Sequence, residues 1–426
     1  EQREVEEENV VGAQNVAVLP IYFPSQTEPS IPKSTLNDMI FNKTSDIYVQ
    51  SSYGQVDPFQ GTTQDWTQLS DGYDTRCNIY ETVHRALVAN DNDLNYDNFN
   101  RIIIIAPLQK QCGYAGIAYL GSGFSAPNIT IRGSVNVIDS AYIGTFGLDV
   151  AIHELGHNFG LRHANSMHCG ENRDETLTLN NRECVRYTYD NPASPMGNFQ
   201  QQGIGFTAPE KDHTRWIESS MERVESSGTY TLKPLSSQGG GTKALRLTRV
   251  NDANSKADKY MYIEYRDGQG ADTNMHAELK NTVLLHTTHR IGFTTDIVDP
   301  SLKDNNFYNR GFTQGMSITD PETATTIEVT DISNGEATID IDIGKSDFSN
   351  PYVGGYFPDH SPSSASGTIN YTADAHDDSG IKEVRIYIDD METEPYAIDT
   401  TEPYNFNIDT NKHTNGRNNN YAVAED

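Results

Sequence analysis

The chain has 426 residues, of which 35% are hydrophobic and 21% charged; this is the composition of a soluble globular protein with more than one domain. Its 60 acidic residues outnumber its 31 lysines and arginines, so the net charge of −29 argues against nucleic acid or an anionic membrane surface as a partner. No run approaches 18 apolar residues, and the sequence therefore predicts no membrane-spanning helix.

The first half of the chain alternates between strand and helix patterns. Short apolar runs predict strands at 15–23, 101–106, 116–121 and 129–138. Apolar residues at helical spacing predict helices over 34–50, 75–89 and 147–160. This alternation predicts an α/β (α+β) domain over residues 1–225.

The pattern changes after residue 225. Short alternating runs separated by Gly, Asn, Asp and Ser predict an all-β sandwich domain at 226–345. A Ser-, Pro- and Gly-rich stretch at 346–367 then leads into strands around a DDSG turn, which predicts an Ig-like β-sandwich over 346–426 that is incomplete at its C-terminal end. The expected fold is therefore a multi-domain chain with one α/β domain and two β domains.

The segment HELGHNFGLRH (153–163) has the spacing of a catalytic zinc site. His153 and His157 lie four residues apart and project from one face of a helix. Gly160 can adopt positive φ and end the helix, which brings His163 to the same metal. Three protein ligands leave a fourth position for water, so the pattern predicts one catalytic Zn²⁺ rather than a structural one.

Glu154 predicts that this site is hydrolytic. It follows the first ligand directly and points about 100° around the helix, toward a metal-bound water rather than the metal. A carboxylate there acts as general base on the water and then delivers the proton to the leaving amine. A structural zinc site has no use for this group.

HELGHNFGLRH resembles the extended zinc signature of the metzincin clan of metalloendopeptidases. The clan also has a methionine-bearing turn downstream, and RYTYDNPASPMGN (186–198) matches it with Met196. The resemblance implies a metzincin-like catalytic domain in which Met196 forms an apolar floor beneath the metal. It departs from some members at Asn198, where they place a tyrosine that helps to stabilise the oxyanion; Tyr187 and Tyr189 lie upstream, and spacing does not assign them that role.

Within the clan, SSYGQ (51–55), GYAGIAYLG (113–121) and YDNPASPMGN (189–198) are most similar to gametolysin-like peptidases, and the last 80 residues are similar to bacterial Ig-like modules. The resemblance implies a secreted endopeptidase acting on extracellular proteins or peptides. It also implies that the run at 116–121 is an edge strand that pairs with substrate, although an ordinary internal strand fits the sequence equally well. The implied substrate-edge residues are Gly116, Ile117, Ala118 and Tyr119.

The four cysteines allow three pairings, or free thiols in a reducing compartment. We favour two disulfides between sequence neighbours, Cys77 with Cys112 and Cys169 with Cys184, in an extracellular setting. The second pair closes a loop of about 15 residues just after the zinc motif and constrains the unfolded chain by about 3 kcal/mol. His168, beside Cys169, is predicted to be a surface residue.

Two other functions remain open on the sequence. The β domains are candidates for binding a surface or a glycan, so the chain could be an adhesion or binding protein with an idle zinc site; Glu154 argues against this, because an idle site needs no base. The second alternative is a zinc hydrolase that acts on a non-peptide amide. The acidic composition also leaves Ca²⁺ open as a further ligand.

Overall fold

The computed structural model describes residues 10–24, 26–70, 77–108, 112–168, 177–179, 184–198, 203–249, 260–288, 294–300, 306–321, 323–344, 352–356, 367–376, 381–388, 394–413 and 420–425. Contacts divide the chain into one compact unit over Glu1–Gly344 and a second over Lys345–Asp426. No helix in these ranges is both long enough and apolar enough to cross a membrane.

The N-terminal part of the first unit is an α/β layer. Its strands are β1 (Asn15–Tyr22), β2 (Gln60–Thr63), β3 (Thr67–Gln68), β4 (Arg101–Ala106), β5 (Gly116–Ala118), β6 (Phe124–Ala126), β7 (Ile129–Ile131) and β8 (Ser134–Asp139). Its helices are α1 (Lys33–Asn37) and α2 (Ser45–Ser51), joined by a π-helical segment at Asp38–Thr44, then α3 (Ile79–Asn90) and α4 (Gly147–Asn158).

In the described ranges the sheet has the order β2-β1-β4-β8-β5, with β3 also paired to β1. Strands β1, β4 and β8 are parallel, and β5 pairs antiparallel with β8 at the edge. Every residue of β4 and β8 is buried, as expected for parallel strands covered on both faces. The sequence predicted one strand at 129–138, but Arg132 and Gly133 separate β7 from β8; a Cβ at Gly133 would lie 2.7 Å from the carbonyl oxygen of Phe99.

The rest of the first unit contains two larger sheets. The strands are β9 (Ala164–His168), β10 (Leu177–Thr178), β11 (Val185–Tyr187), β12 (Met221–Val224), β13 (Gly228–Leu232), β14 (Ala244–Thr248), β15 (Tyr260–Arg266), β16 (Thr282–Thr288), β17 (Thr295–Asp299), β18 (Ser317–Asp320), β19 (Thr325–Ser333) and β20 (Glu336–Ile343). Helix α5 spans Ala208–His213.

Among the described strands, one sheet has the order β11-β9-β17-β16-β15-β14-β12 and the other β10-β18-β19-β20-β13. Side chains from both sheets share one buried core, with Ile263 and Val298 from the first and Val329 and Ile339 from the second. Strands β9 and β11 precede residue 225 yet belong to the same sheet as strands that follow it. The boundary at 225/226 stays a prediction, and the chain on its two sides is joined by a continuous sheet.

The second unit is all β. Its described strands are β21 (Tyr352–Tyr356), β22 (Thr368–His376), β23 (Glu383–Ile388), β24 (Ala397–Asp399), β25 (Tyr404–Asp409) and β26 (Asn420–Glu425). They form two three-stranded sheets, β21-β22-β25 and β24-β23-β26. The buried side chains of Tyr371 and Phe406 from the first sheet, and of Val384 and Ile386 from the second, share one core.

Candidate metal centre

Helix α4 and the turn that follows it build the histidine cluster. His153 and His157 are one helical turn apart, with ring centroids separated by 4.7 Å. Gly160 has φ of +89°, and the amide of Leu161 donates to the carbonyl of Gly156, as in a Schellman motif. This reversal, which an L-residue would adopt with strain, carries the chain back so that the ring of His163 lies 4.8 Å from that of His157.

The three histidines form a donor set that fits zinc. One nitrogen from each of His153, His157 and His163 lies within 4.8 Å of the others, and this is the one cluster of its kind among the described residues. Nδ1 of His153 is 2.8 Å from the carbonyl oxygen of Pro195, and Nδ1 of His157 is 2.8 Å from that of Leu161. A carbonyl oxygen only accepts, so Nδ1–H donates to it in each ring, and Nε2 is then the nitrogen that carries the lone pair suited to a metal.

The surroundings keep these rings in the neutral form that binds metals. Burial, together with the neighbouring His157, lowers the pKa of His153 to about 3. Burial lowers the pKa of His163 to about 4, again with a contribution from His157. Since a cationic imidazole has no lone pair to offer, low proton affinity favours ligation near neutral pH.

Glu154 is buried between α4 and the edge strand β5. It is 3% exposed, and this burial raises the pKa of its carboxyl group to about 8. A Cβ at Gly116 would lie 2.7 Å from Cγ and Oε1 of Glu154, and equally close to Cγ1 of Val150. The backbone of β5 thus packs on the carboxylate, and a glycine is needed at this point of the strand.

The methionine turn packs against helix α4 at Gly156. Met196 is fully buried, and a Cβ at Gly156 would overlap its Sδ atom. The turn is fixed by hydrogen bonds around Ser194, whose hydroxyl donates to Glu210 Oε1 at 2.5 Å and accepts from the amide of Met196 at 2.9 Å. The same turn supplies the Pro195 carbonyl that orients His153.

A buried arginine from the seven-stranded sheet reaches this turn. Arg266 donates to the carbonyl of Ala193 at 3.3 Å and pairs with Glu264 and Asp272, each at 2.8 Å. All three charged side chains are buried, so their mutual pairing is required to offset the cost of desolvation. The methionine turn is therefore held by the seven-stranded sheet, through Arg266, as well as by helix α4 of the α/β layer.

Tyr189 lies over the cluster, a position that sequence spacing did not assign. Its hydroxyl is 2.6 Å from Nε2 of His163, and the two ring centroids are 3.8 Å apart. Tyr187 instead packs its ring 4.7 Å from that of His168. The sequence offered one signal, the tyrosine-rich segment RYTYDNP. It did not decide between the two tyrosines, because the direction of the Tyr189 side chain depends on the backbone of that residue, whose φ is +60°.

The remaining predicted residues are placed as follows. β5 lies at the edge of its sheet among the described strands, and Gly116, Ile117 and Ala118 are half-buried there; Tyr119 follows and packs against Phe124. The roles given to these residues, to the histidines, to Glu154 and to Met196 stay predictions.

The seven-stranded sheet lies next to the cluster because β9 begins directly after His163.

The disulfide prediction is confirmed for one pair. Cys77 and Cys112 are bonded, with Cα atoms 5.2 Å apart. Cys184 is also disulfide-bonded, while Cys169, its predicted partner, lies outside the described residues. His168, predicted to be a surface residue, is partly exposed at 25%, and its side chain lies between Asp190 and Asp299, at 3.3 Å from each.

Comparison with known families supports the interpretation of this cluster as a zinc site of a metallopeptidase. Residues 40–164 match the family described as metallo-peptidase family M12B, reprolysin-like, and residues 359–422 match the bacterial Ig domain family. The resemblance to zinc metallopeptidases and to Ig-like modules is thereby confirmed; the narrower likeness to gametolysin-like peptidases stays a prediction. The fold is a mixed α/β metallopeptidase region plus an Ig-like domain.

No curated protein matches the chain. Solved structures do match it, among them one described as "Structure of a chaperone-substrate complex". The identity is 15% and the TM-score 0.25; the match covers 35% of this chain and 24% of that one. A likeness at this level carries no argument about fold or function.

Proposed function

We propose that this chain, whose residues 40–164 are reprolysin-like, is a secreted zinc-dependent endopeptidase. The observation that carries the proposal is the position of Glu154, a buried carboxyl group beside three converging neutral histidines. An open three-histidine site with an adjacent carboxylate is the arrangement used for metal-assisted hydrolysis of a carbonyl compound. Protein and peptide substrates follow from the matched family.

The residues of the chain have distinct parts in this reaction. His153, His157 and His163 would hold Zn²⁺, which supplies Lewis acidity and lowers the pKa of bound water. Glu154 accepts a proton from the attacking water and returns it to the leaving amine. Burial holds the pKa of Glu154 at about 8, and a nearby divalent cation acts in the opposite direction by favouring the carboxylate.

In this proposal Tyr189 stabilises the oxyanion that forms on the substrate carbonyl. Its hydroxyl is 2.6 Å from Nε2 of His163, the nitrogen that faces Nε2 of His157 at 3.1 Å and would bind the metal. A single lone pair serves one partner, so ligation by His163 releases the hydroxyl for another acceptor at the same position. A phenolic donor aimed at developing charge contributes to rate rather than to ground-state binding.

The edge strand β5 is the proposed substrate-binding strand. It pairs with β8 on one side, and no described strand pairs with its other side. An extended peptide can add to such an edge through backbone hydrogen bonds, which fits an endopeptidase that binds a segment of chain rather than a terminus. Because Gly116 packs on Glu154, this edge leads directly to the general base.

Secretion is proposed from the disulfides and the C-terminal module. Cys77, Cys112 and Cys184 are all oxidised, which is typical of extracellular proteins. The match of residues 359–422 to a bacterial Ig domain is compatible with the same location.

The test is cleavage of casein or gelatin by the zinc-loaded wild type and by Glu154→Gln. We expect the variant to lose activity by a factor of about 10² to 10⁴ while it still binds one zinc per chain. Equal activity in both proteins would overturn the proposed mechanism. Zinc binding with no cleavage by the wild type would favour the adhesion alternative, and mass spectrometry of products would reveal a non-peptide amidase.

A further inference from the structure

A partly buried ionic cluster is centred on Asp190, the residue that follows Tyr189. One carboxylate oxygen of Asp190, Oδ2, is 2.5 Å from the hydroxyl of Ser166, 3.3 Å from Nε2 of His168 and 3.0 Å from Nη2 of Arg310. Burial alone would raise the pKa of Asp190, but the hydrogen bonds from His168 and Ser166 and the charge of Arg310 lower it below its usual value. Asp190 is therefore held as a carboxylate.

Arg310 links this carboxylate to the seven-stranded sheet. It is 4% exposed, and its other terminal nitrogen, Nη1, pairs with Asp299, a fully buried residue at the end of β17. Strand β17 runs parallel to β9, with Asp299 opposite His168. Arg310 thus bridges two carboxylates, one on the sheet and one on the segment that carries Tyr189.

The backbone of Tyr189 needs such an anchor. Its φ of +60° is a left-handed conformation that a tyrosine adopts only when its neighbours impose it. Its amide donates to Oδ1 of Asn165 on β9 at 3.2 Å, and Asp190 is fixed on its other side. Asn165 lies on the sheet itself, and Asp190 is tied to the sheet through Ser166 and His168 of β9 and, by way of Arg310, through Asp299 of β17.

We propose that Asp190 and Arg310 are positioning residues that hold the hydroxyl of Tyr189 at the metal centre. The inference rests on the proposed function. It extends that function to the seven-stranded sheet, which would then help to position a catalytic side chain. In the hydrogen bonds described above, neither residue contacts His153, His157 or His163; each acts through Tyr189.

The test combines Asp190→Asn and Arg310→Lys with Tyr189→Phe in the full chain. We expect each positioning variant to lower kcat by about 10- to 100-fold, as a small misplacement of a reacting group does, with KM changed less than about twofold. In the Tyr189→Phe background the same substitutions should produce no further loss, because the group they position is gone. An equal loss in both backgrounds would overturn the proposal.

A second readout does not require peptidase activity. The visible absorption spectrum of the cobalt-substituted protein reports on the groups around the metal. We expect the spectrum of Asp190→Asn to shift from that of the wild type toward that of Tyr189→Phe. A spectrum identical to the wild type, alongside a shifted one for Tyr189→Phe, would overturn the positioning role even if the chain cleaves no protein.

Arg249→Lys is the matched control for loss of a buried arginine pair. Arg249 is fully buried and binds Asp320 through two nitrogens, at 2.7 and 3.0 Å, and the carbonyl of Leu179, all outside the metal centre. We expect it to lower thermal stability as Arg310→Lys does, with kcat and the cobalt spectrum unchanged. Equal changes in kcat and in the spectrum for both arginine variants would mean that general destabilisation explains the result, and would overturn the proposal.

Discussion

Met196 and Gly156 are in direct contact beside the histidine cluster: the Sδ atom of Met196 occupies the space that a Cβ on residue 156 would need. Helix α4 can approach the methionine turn this closely only because residue 156 has no side chain. The contact fixes the distance between the helix that carries two of the histidines and the turn whose Pro195 carbonyl orients His153.

We expect Gly156→Ala to weaken zinc binding by about 10- to 100-fold, the range found when a group that orients a ligand is disturbed. Alanine has the higher helix propensity by about 1 kcal/mol, so a purely local view predicts the opposite sign, a more stable helix. Competition with a chelator measures the affinity. Gly144→Ala, where the added Cβ meets no atom within 4 Å, is the control and should bind zinc as the wild type does.

Gly116→Ala tests the contact between β5 and the general base. The added Cβ would lie 2.7 Å from Glu154 Oε1, so either the carboxylate or the strand must move. We expect kcat on a peptide substrate to fall by about 10²-fold with zinc affinity retained, since the histidines are not displaced. Gly239→Ala, in open space, should leave kcat unchanged; unchanged kcat in Gly116→Ala would contradict the placement of Glu154.

Tyr189→Phe removes a hydroxyl group and little volume. If the hydroxyl stabilises the oxyanion, kcat should fall by about 10²- to 10³-fold while KM and zinc affinity stay close to the wild-type values. Tyr187→Phe is the matched control: this tyrosine is on the same segment and half-exposed, but it packs against His168. Steady-state kinetics on one peptide compares the two, and similar losses would exclude a specific role for Tyr189.

Lys211 predicts a pH-dependent stability. Burial lowers its pKa from 10.5 to about 7, while its ammonium donates to the hydroxyl of Tyr53 at 3.1 Å. The unfolded chain holds this proton more tightly than the folded one. The destabilisation is therefore complete below pH 7 and disappears as the pH rises through 10.5. We expect the stability advantage of Lys211→Met over the wild type to shrink by up to about 4 kcal/mol between pH 6 and pH 10.

Tryptophan fluorescence measures this unfolding, because both tryptophans, Trp66 and the buried Trp216, are in the unit that contains Lys211. The control is Lys33→Met, which replaces a half-exposed lysine paired with Asp65. Its stability difference from the wild type should show no comparable fall over this pH range. A difference for Lys211→Met that stays constant or grows with pH would contradict the prediction.

Local patterns explain why much of the α/β layer could be predicted. The largely apolar run of β4 is a buried strand, and Gly160 stops α4 just beyond Asn158, because both features depend on residues close in sequence. The pairing of Cys77 with Cys112 was also correct. The single strand expected at 129–138 was wrong because the close approach of Gly133 to Phe99 is a tertiary contact.

Sequence patterns missed contacts that depend on distant strands. His168 is predicted to be a surface residue, and nothing near it in sequence indicates that β17 brings Asp299 beside it or that Arg310 completes the cluster. Residues 164–187 were predicted to belong to the α/β domain. In the structure, β9 and β11 belong to the seven-stranded sheet, and β9 pairs with β17, which begins more than 100 residues later. Pairing at such separations leaves no periodicity within either segment.

The sequence by itself determined which groups make up the candidate site: three histidines, a glutamate and a methionine turn, because their spacing along one helix and one turn encodes where they project. Only the tertiary structure decided what surrounds them. Whether Tyr187 or Tyr189 faces the histidine cluster depends on one left-handed residue, and that conformation is held by Asn165 on β9 and, in our proposal, by Asp190 through Arg310. The chemistry of the site is local, whereas its positioning depends on contacts between segments far apart in the chain.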